Sequence, residues 1–158
     1  MMGARWWNAR AVFIRVAALA WLVPGRGVAQ TAPELRLALE LSDEGDHAGA
    51  ALEFRRLAAE DPAGEARGGY YWAAAFEYRK AGEFKLADKM LDRAEDAHPS
   101  LGTPALLLRG ENAQAAQQWG ESDFYFESVL RGPGGTEEKT LASRRLATGR
   151  LRQRDADG

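Results

Sequence analysis

Three stretches of the chain carry one order of residues at nearly one spacing. Gly45 is followed by Ala50, Phe54 and Pro62 at steps of five, four and eight. Gly82 is followed by Ala87, Leu91 and Pro99 at the same steps, and Gln117 by Ser122, Phe126 and Pro133 at five, four and seven. Leu41, Tyr78 and Ala113 stand four places ahead of the three starting points. The small residue of each set recurs after 37 and then 35 residues. A fixed period of that size marks repeated supersecondary units, each burying its apolar face only against its neighbours.

The units read as helical. Sustained alternation of period two is absent and β-branched residues are scarce beyond residue 30, which argues against strands. The periodicity predicts seven helices, over 33–44, 46–60, 66–81, 83–97, 104–117, 119–131 and 136–154. Their short connections force neighbours to pack antiparallel. Thr31 and Glu34 form a capping box, Asp46 and Thr103-Pro104 open two further helices, and Thr136 caps the last, with Glu137 and Glu138 against the positive end of its dipole. Ala50, Ala87 and Ser122 are small where two helices cross, and Phe54, Leu91 and Phe126 lie one turn later on the same face. Gly45 and Gly82 permit the left-handed backbone of a sharp turn, and Pro62 and Pro99 stop the second helix of each unit.

These residues resemble tetratricopeptide repeats, helix–turn–helix units with the pattern W-x2-L-G-x2-Y, then A-x3-F, then P. The second unit fits best, through Tyr71, Ala74-Ala75, Tyr78, Gly82, Ala87, Leu91, Ala94 and Pro99. The first has Glu34 where an aromatic is usual but keeps Leu37-Ala38, Leu41, Gly45, Ala50, Phe54 and Pro62. The third keeps Gly110, Trp119, Ser122, Phe126 and Pro133, with Arg109 in an apolar place, Gln117 for the turn glycine and its proline one place early. The resemblance implies an all-α fold, an α-solenoid of three hairpins over residues 30–135. The basic helix and tail of 136–158 close its open end, with Leu141, Leu146 and Leu151 as a thin apolar side. It also implies that the first helix of each unit lines an inner groove for an extended peptide or a partner helix. By phase, Trp72, Phe76, Arg79 and Lys80 of the second unit face that groove, and Leu35, Leu39, Leu107, Leu108 and Glu111 join them from its neighbours. Two aromatics followed by two cations suit an apolar or acidic segment, and Trp and Arg are enriched in binding hot spots. Trp72 and Phe76 as plain core residues remain the other reading. The subtype that clamps C-terminal carboxylates needs lysine, asparagine and arginine where this chain has Leu35, Leu39, Gly69, Trp72 and Leu108.

Composition limits the chemistry. The 158 residues include no cysteine, which excludes disulfides, thiolate metal sites and a cysteine nucleophile. Catalytic and phosphate-cradling motifs are missing, so no enzymatic activity and no cofactor or metal are expected. The two histidines read as structural: His47 in a solvated turn and His98 at the negative end of a helix dipole. Asp92 with Glu95 or Asp96 reads as a solvated face.

Charge is uneven. Residues 1–29 hold four arginines and no acid, residues 30–138 hold 11 bases and 21 acids, and Lys139, Arg144, Arg145, Arg150, Arg152 and Arg154 form a basic end. Arg5 and Arg10, an apolar run to Val23, Pro24-Gly25 and the small residues before Gln30 follow the order of a secretory signal. Cleavage after Ala29 and export to a bacterial periplasm are expected, a retained inner-membrane anchor being the alternative. The expected function is a protein-binding module or scaffold that holds a partner segment in its groove. The alternative is an envelope subunit that uses its convex face or the basic helix, which also suits an anionic lipid surface. Nucleic acid is not expected as a partner.

Overall fold

The computed structural model describes residues 33–61 and 66–157. The expected signal, Thr31 of the capping box and Pro62 lie outside the described residues. Within them the protein is all-α: α1 Pro33–Glu44, α2 His47–Glu60, α3 Arg67–Lys80, α4 Phe84–Ala97, α5 Gly102–Ala115, α6 Trp119–Arg131 and α7 Thr136–Asp157. A single 3-10 turn, Pro99–Leu101, precedes α5.

The chain reverses at three matched points. Gly45, Gly82 and Gln117 take φ of 88°, 79° and 60°, and Gln117 is the one non-glycine among the described residues with positive φ. After Gly82, the Glu83 N–H donates to the Tyr78 carbonyl at 2.9 Å; after Gln117, the Gln118 N–H donates to the Ala113 carbonyl at 2.8 Å. Both close a helix end by the same six-residue loop. Gln117 therefore performs the turn that glycine performs in the first two hairpins, at the strain cost of an L-residue in left-handed space.

Each turn leads to a close helix crossing. Ala50, Ala87 and Ser122 are buried, and so are Phe54, Leu91 and Phe126 one turn later. In the third hairpin the contact is tightest at Gly110, where an added Cβ would sit 2.6 Å from a Phe126 ring carbon. The helices follow one another in space in chain order, and α7 packs on both α5 and α6. Two apolar clusters result. The larger runs from Ala38 of α1 to Ala105 and Leu108 of α5; the smaller gathers Phe126, Val129, Ala142 and Leu146, with Leu106 and Leu107 packed on it. Helix α5 thus lies between the clusters and serves both.

Local details correct several expectations. Helix α5 starts at Gly102 rather than 104, because the 3-10 turn runs straight into it; its N-cap is Leu101 and no side chain caps it. Pro104 falls in the first turn, where its missing N–H has no partner to lose. Thr136 is the first residue of α7 rather than its cap. On α7, Ala142 and Leu146 are buried, whereas Leu151 is 57% exposed. Leu151 lies on the outward side of α7, in phase with exposed Arg144 and Ala147. Asp46 does cap α2, accepting from Gly49 N–H at 2.9 Å.

Replacing Gln117 with glycine should remove left-handed strain and raise the unfolding free energy by about 1 kcal/mol. Gly110→Ala should lower it by about 2 kcal/mol by forcing the Phe126 ring aside. Urea unfolding of both variants checks the pair.

Candidate protein-binding face

Trp72, Phe76 and Lys80 succeed one another at single-turn steps along α3, so they share one face. Trp72 and Phe76 are half-buried and rest on the larger apolar cluster, as do Leu35 and Leu39 of α1. The Lys80 ammonium stands 5.1 Å from the Phe76 ring centroid. The aromatics are therefore both core-supported and accessible, a combination that the two sequence readings had set against each other.

Two carboxylates tie this face together. Glu77 is buried; its oxygens meet the Ser42 hydroxyl at 3.0 Å, the His47 Nδ1 at 2.8 Å and the Lys80 Nζ at 2.9 Å. It thereby joins α1, α2 and α3. Glu111 of α5 receives Arg79 of α3 at 3.1 Å and Arg145 of α7 at 2.9 Å. Gln114 of α5 adds a bond of 2.8 Å to the Arg145 carbonyl. Alternate helices are linked in sequence from α1 through α3 and α5 to α7. A buried carboxylate must keep its partners, since losing one leaves an uncompensated charge.

Three expectations change here. Leu108 is 6% exposed and belongs to the core. Residues 107 and 108 lie about 100° apart around a helix and here divide between the two clusters. Leu107 instead packs on the smaller cluster. His47 is half-buried rather than free in a solvated turn, because α2 delivers it against Glu77. His98 caps the C-terminal end of α4, and its ring lies over Gly68, which has no side chain to displace it.

A second network stands between α4 and α5. Arg109, buried where an apolar residue was expected, binds Asp92 at 2.6 Å and Glu95 at 2.5 Å. These acids are therefore ion-pair partners and not merely a solvated face. Asn112 is buried and donates to Asp88 at 2.8 Å. Burial pushes the Asp88 carboxyl above its ordinary value, against the opposing pull of the Asn112 bond and the Arg109 charge. On α7, Arg150 binds Asp123 and Glu127 of α6, each at 2.9 Å. Lys139, Arg144, Arg152 and Arg154 make no ion pair among the described residues.

Glu77, Asn112 and the role of Arg109 were not legible beforehand. The available signal was a polar residue inside an apolar run, as in Ala73-Ala74-Ala75-Phe76-Glu77-Tyr78. Among the described residues, no three His, Asp or Glu side chains cluster to hold a metal ion, and no helix is long and apolar enough to cross a membrane. Comparison with protein-family models, curated proteins and solved structures gives no match.

Glu77→Ala should cost about 3 kcal/mol in urea unfolding, whereas Glu40→Ala, which removes an exposed pair with Arg36, should cost under about 0.5 kcal/mol. For Asp88 the sign is opposite to that of a paired acid. Its raised value means that the folded state holds the proton more tightly, so stability falls as pH rises through and above the ordinary aspartate range. Asp88→Asn keeps an acceptor for Asn112 and removes that dependence. The variant should exceed the wild type in stability at neutral pH more than at acid pH, as read from unfolding at both.

Proposed function

We propose that the chain is a solenoid of three tetratricopeptide-like hairpins closed by α7, acting as an exported protein-binding module without catalytic activity. Its ligand is a segment of a partner protein, laid across α1, α3 and α5. The observation that carries this reading is the Trp72–Phe76–Lys80 stripe: two accessible aromatics and a cation on a face held rigid by Glu77 and Glu111. Preorganised aromatic anchors lose little entropy on binding. The matched left-handed residues at Gly45, Gly82 and Gln117 support the repeat reading, and the order of residues before Gln30 supports export.

A second reading has an observation of its own. Four cations on α7 without an ion-pair partner among the described residues suit an anionic surface, such as an acidic lipid bilayer. Reversal of Lys139, Arg144 and Arg152 to glutamate leaves the buried side of α7 intact and isolates that role.

The test is capture of partners from the organism's own envelope, with wild type, Trp72→Ala and Arg79→Glu compared at a temperature where circular dichroism shows all three folded. Removing a hot-spot aromatic should weaken binding by about 30-fold, equivalent to about 2 kcal/mol. Capture unchanged by both substitutions would exclude this face; loss only on reversal of the α7 charges would favour the second reading.

A further inference from the structure

The row of helices ends on two surfaces that nothing among the described residues covers, and they differ in chemistry. At the start, α1 exposes Leu37 at 43% and α2 exposes Leu52 at 55%, with Ala48 and Ala59 also exposed one and two turns from Leu52. These helices are acidic: residues 33–61 hold three arginines and eight acids. Arg36 and Arg56 are already engaged by Glu40, Glu53 and Glu60. Asp43 and Glu44 stand exposed at the end of α1.

At the other end, α7 turns one continuous stripe outward. Thr136, Lys139, Thr140, Ser143, Arg144 and Ala147 line a shallow open surface. Leu151 and Arg154 continue it at the same helical spacing. The stripe contains no acid. Its cations Lys139, Arg144 and Arg154 have no ion pair among the described residues, while Arg150, at the edge of the stripe beside Lys139, is engaged by α6 and Arg145, on the opposite side of α7, by α5. In a linear stack each unit buries its face on the next, and a bare terminal face remains available to a further unit.

We infer that the α7 stripe of one copy docks on the α1–α2 end of a second copy, giving head-to-tail self-association. Leu151 and Ala147 meet Leu37 and Leu52, and the free cations meet the acidic first hairpin. The contact is heterologous, because two different surfaces of the same chain meet. It goes beyond the groove reading and uses none of the groove residues.

The experiment is sedimentation velocity on the full chain in three forms, each over a range of concentrations. The head-blocked form carries Leu37→Glu and Leu52→Glu, and the tail-blocked form carries Lys139→Glu and Arg144→Glu. Leu37, Leu52 and Arg144 are exposed and Lys139 is half-buried, and neither cation has an ion pair among the described residues. Wild type should show mass rising with concentration, with association weakened by roughly tenfold at high ionic strength. Each blocked form alone should stay monomeric. An equimolar mixture should give a species of twice the monomer mass and no larger, because the head-blocked copy keeps its tail and the tail-blocked copy keeps its head. Wild type that is monomeric throughout overturns the inference, as it must if the chain's own N-terminal residues cover Leu37 and Leu52. A mixture that fails to pair overturns it in favour of a symmetric contact. Trp72→Ala should leave wild-type association unchanged, so the outcome is separate from that of the groove.

Discussion

The fold rests on one geometric constraint: a helix must turn back within a residue or two and then cross its predecessor closely. The left-handed residue supplies the turn, and the small residue five places later supplies the close approach. With both in place, the large apolar side chain one turn further on is buried against the neighbouring helices. Phe54, Leu91 and Phe126 are buried for that reason. Where the constraint is met by unusual residues, the surroundings compensate. Gln117 accepts the left-handed conformation because Gln118 closes the same loop that Glu83 closes. Gly110 accepts the Phe126 ring where a side chain would collide.

Polar ties are the second level of organisation. The helices are rich in alanine, and small side chains supply little burial per contact. Buried and half-buried charges with several partners make the packing specific instead: Glu77 serves three helices and Glu111 serves three. Arg109 illustrates the logic best. At an apolar position its guanidinium opposes burial, yet two carboxylates from α4 hold it charged. The α4–α5 junction, where one hairpin meets the next across a 3-10 turn, is where that network sits. The candidate binding face inherits this rigidity, since Trp72 and Phe76 stand on the helix that Glu77 anchors.

Legibility differed between levels for identifiable reasons. Helix positions were readable to within three residues at every end among the described residues, because period, turn residues and caps are local signals. The start of α5 failed because Thr103-Pro104 looks like a cap and the preceding 3-10 turn has no comparable mark. The half-buried side of α3 that carries Trp72, Phe76 and Lys80 follows from helical phase, and Arg79 and Glu111 do come together. Leu108 failed because α5 faces two clusters at once, which phase within a single helix does not reveal. Lys80 apart, the partners of Glu77 and Arg109 lie 14 to 35 residues away in sequence, beyond any local pattern.

By itself, then, the chain determined an all-helical protein of short hairpins, the places where it turns and the side of each helix that is apolar. Those properties follow from backbone conformation and periodicity, which act over a few residues. Tertiary structure alone decided that the His47 side chain meets Glu77, that a buried arginine can replace an apolar residue at Arg109, and that α7 spends Arg145 and Arg150 on the body while Lys139 and Arg144 pair with no acid among the described residues. Each of these depends on which charges are brought within a few ångströms when helices pack, and only the packed helices define those distances.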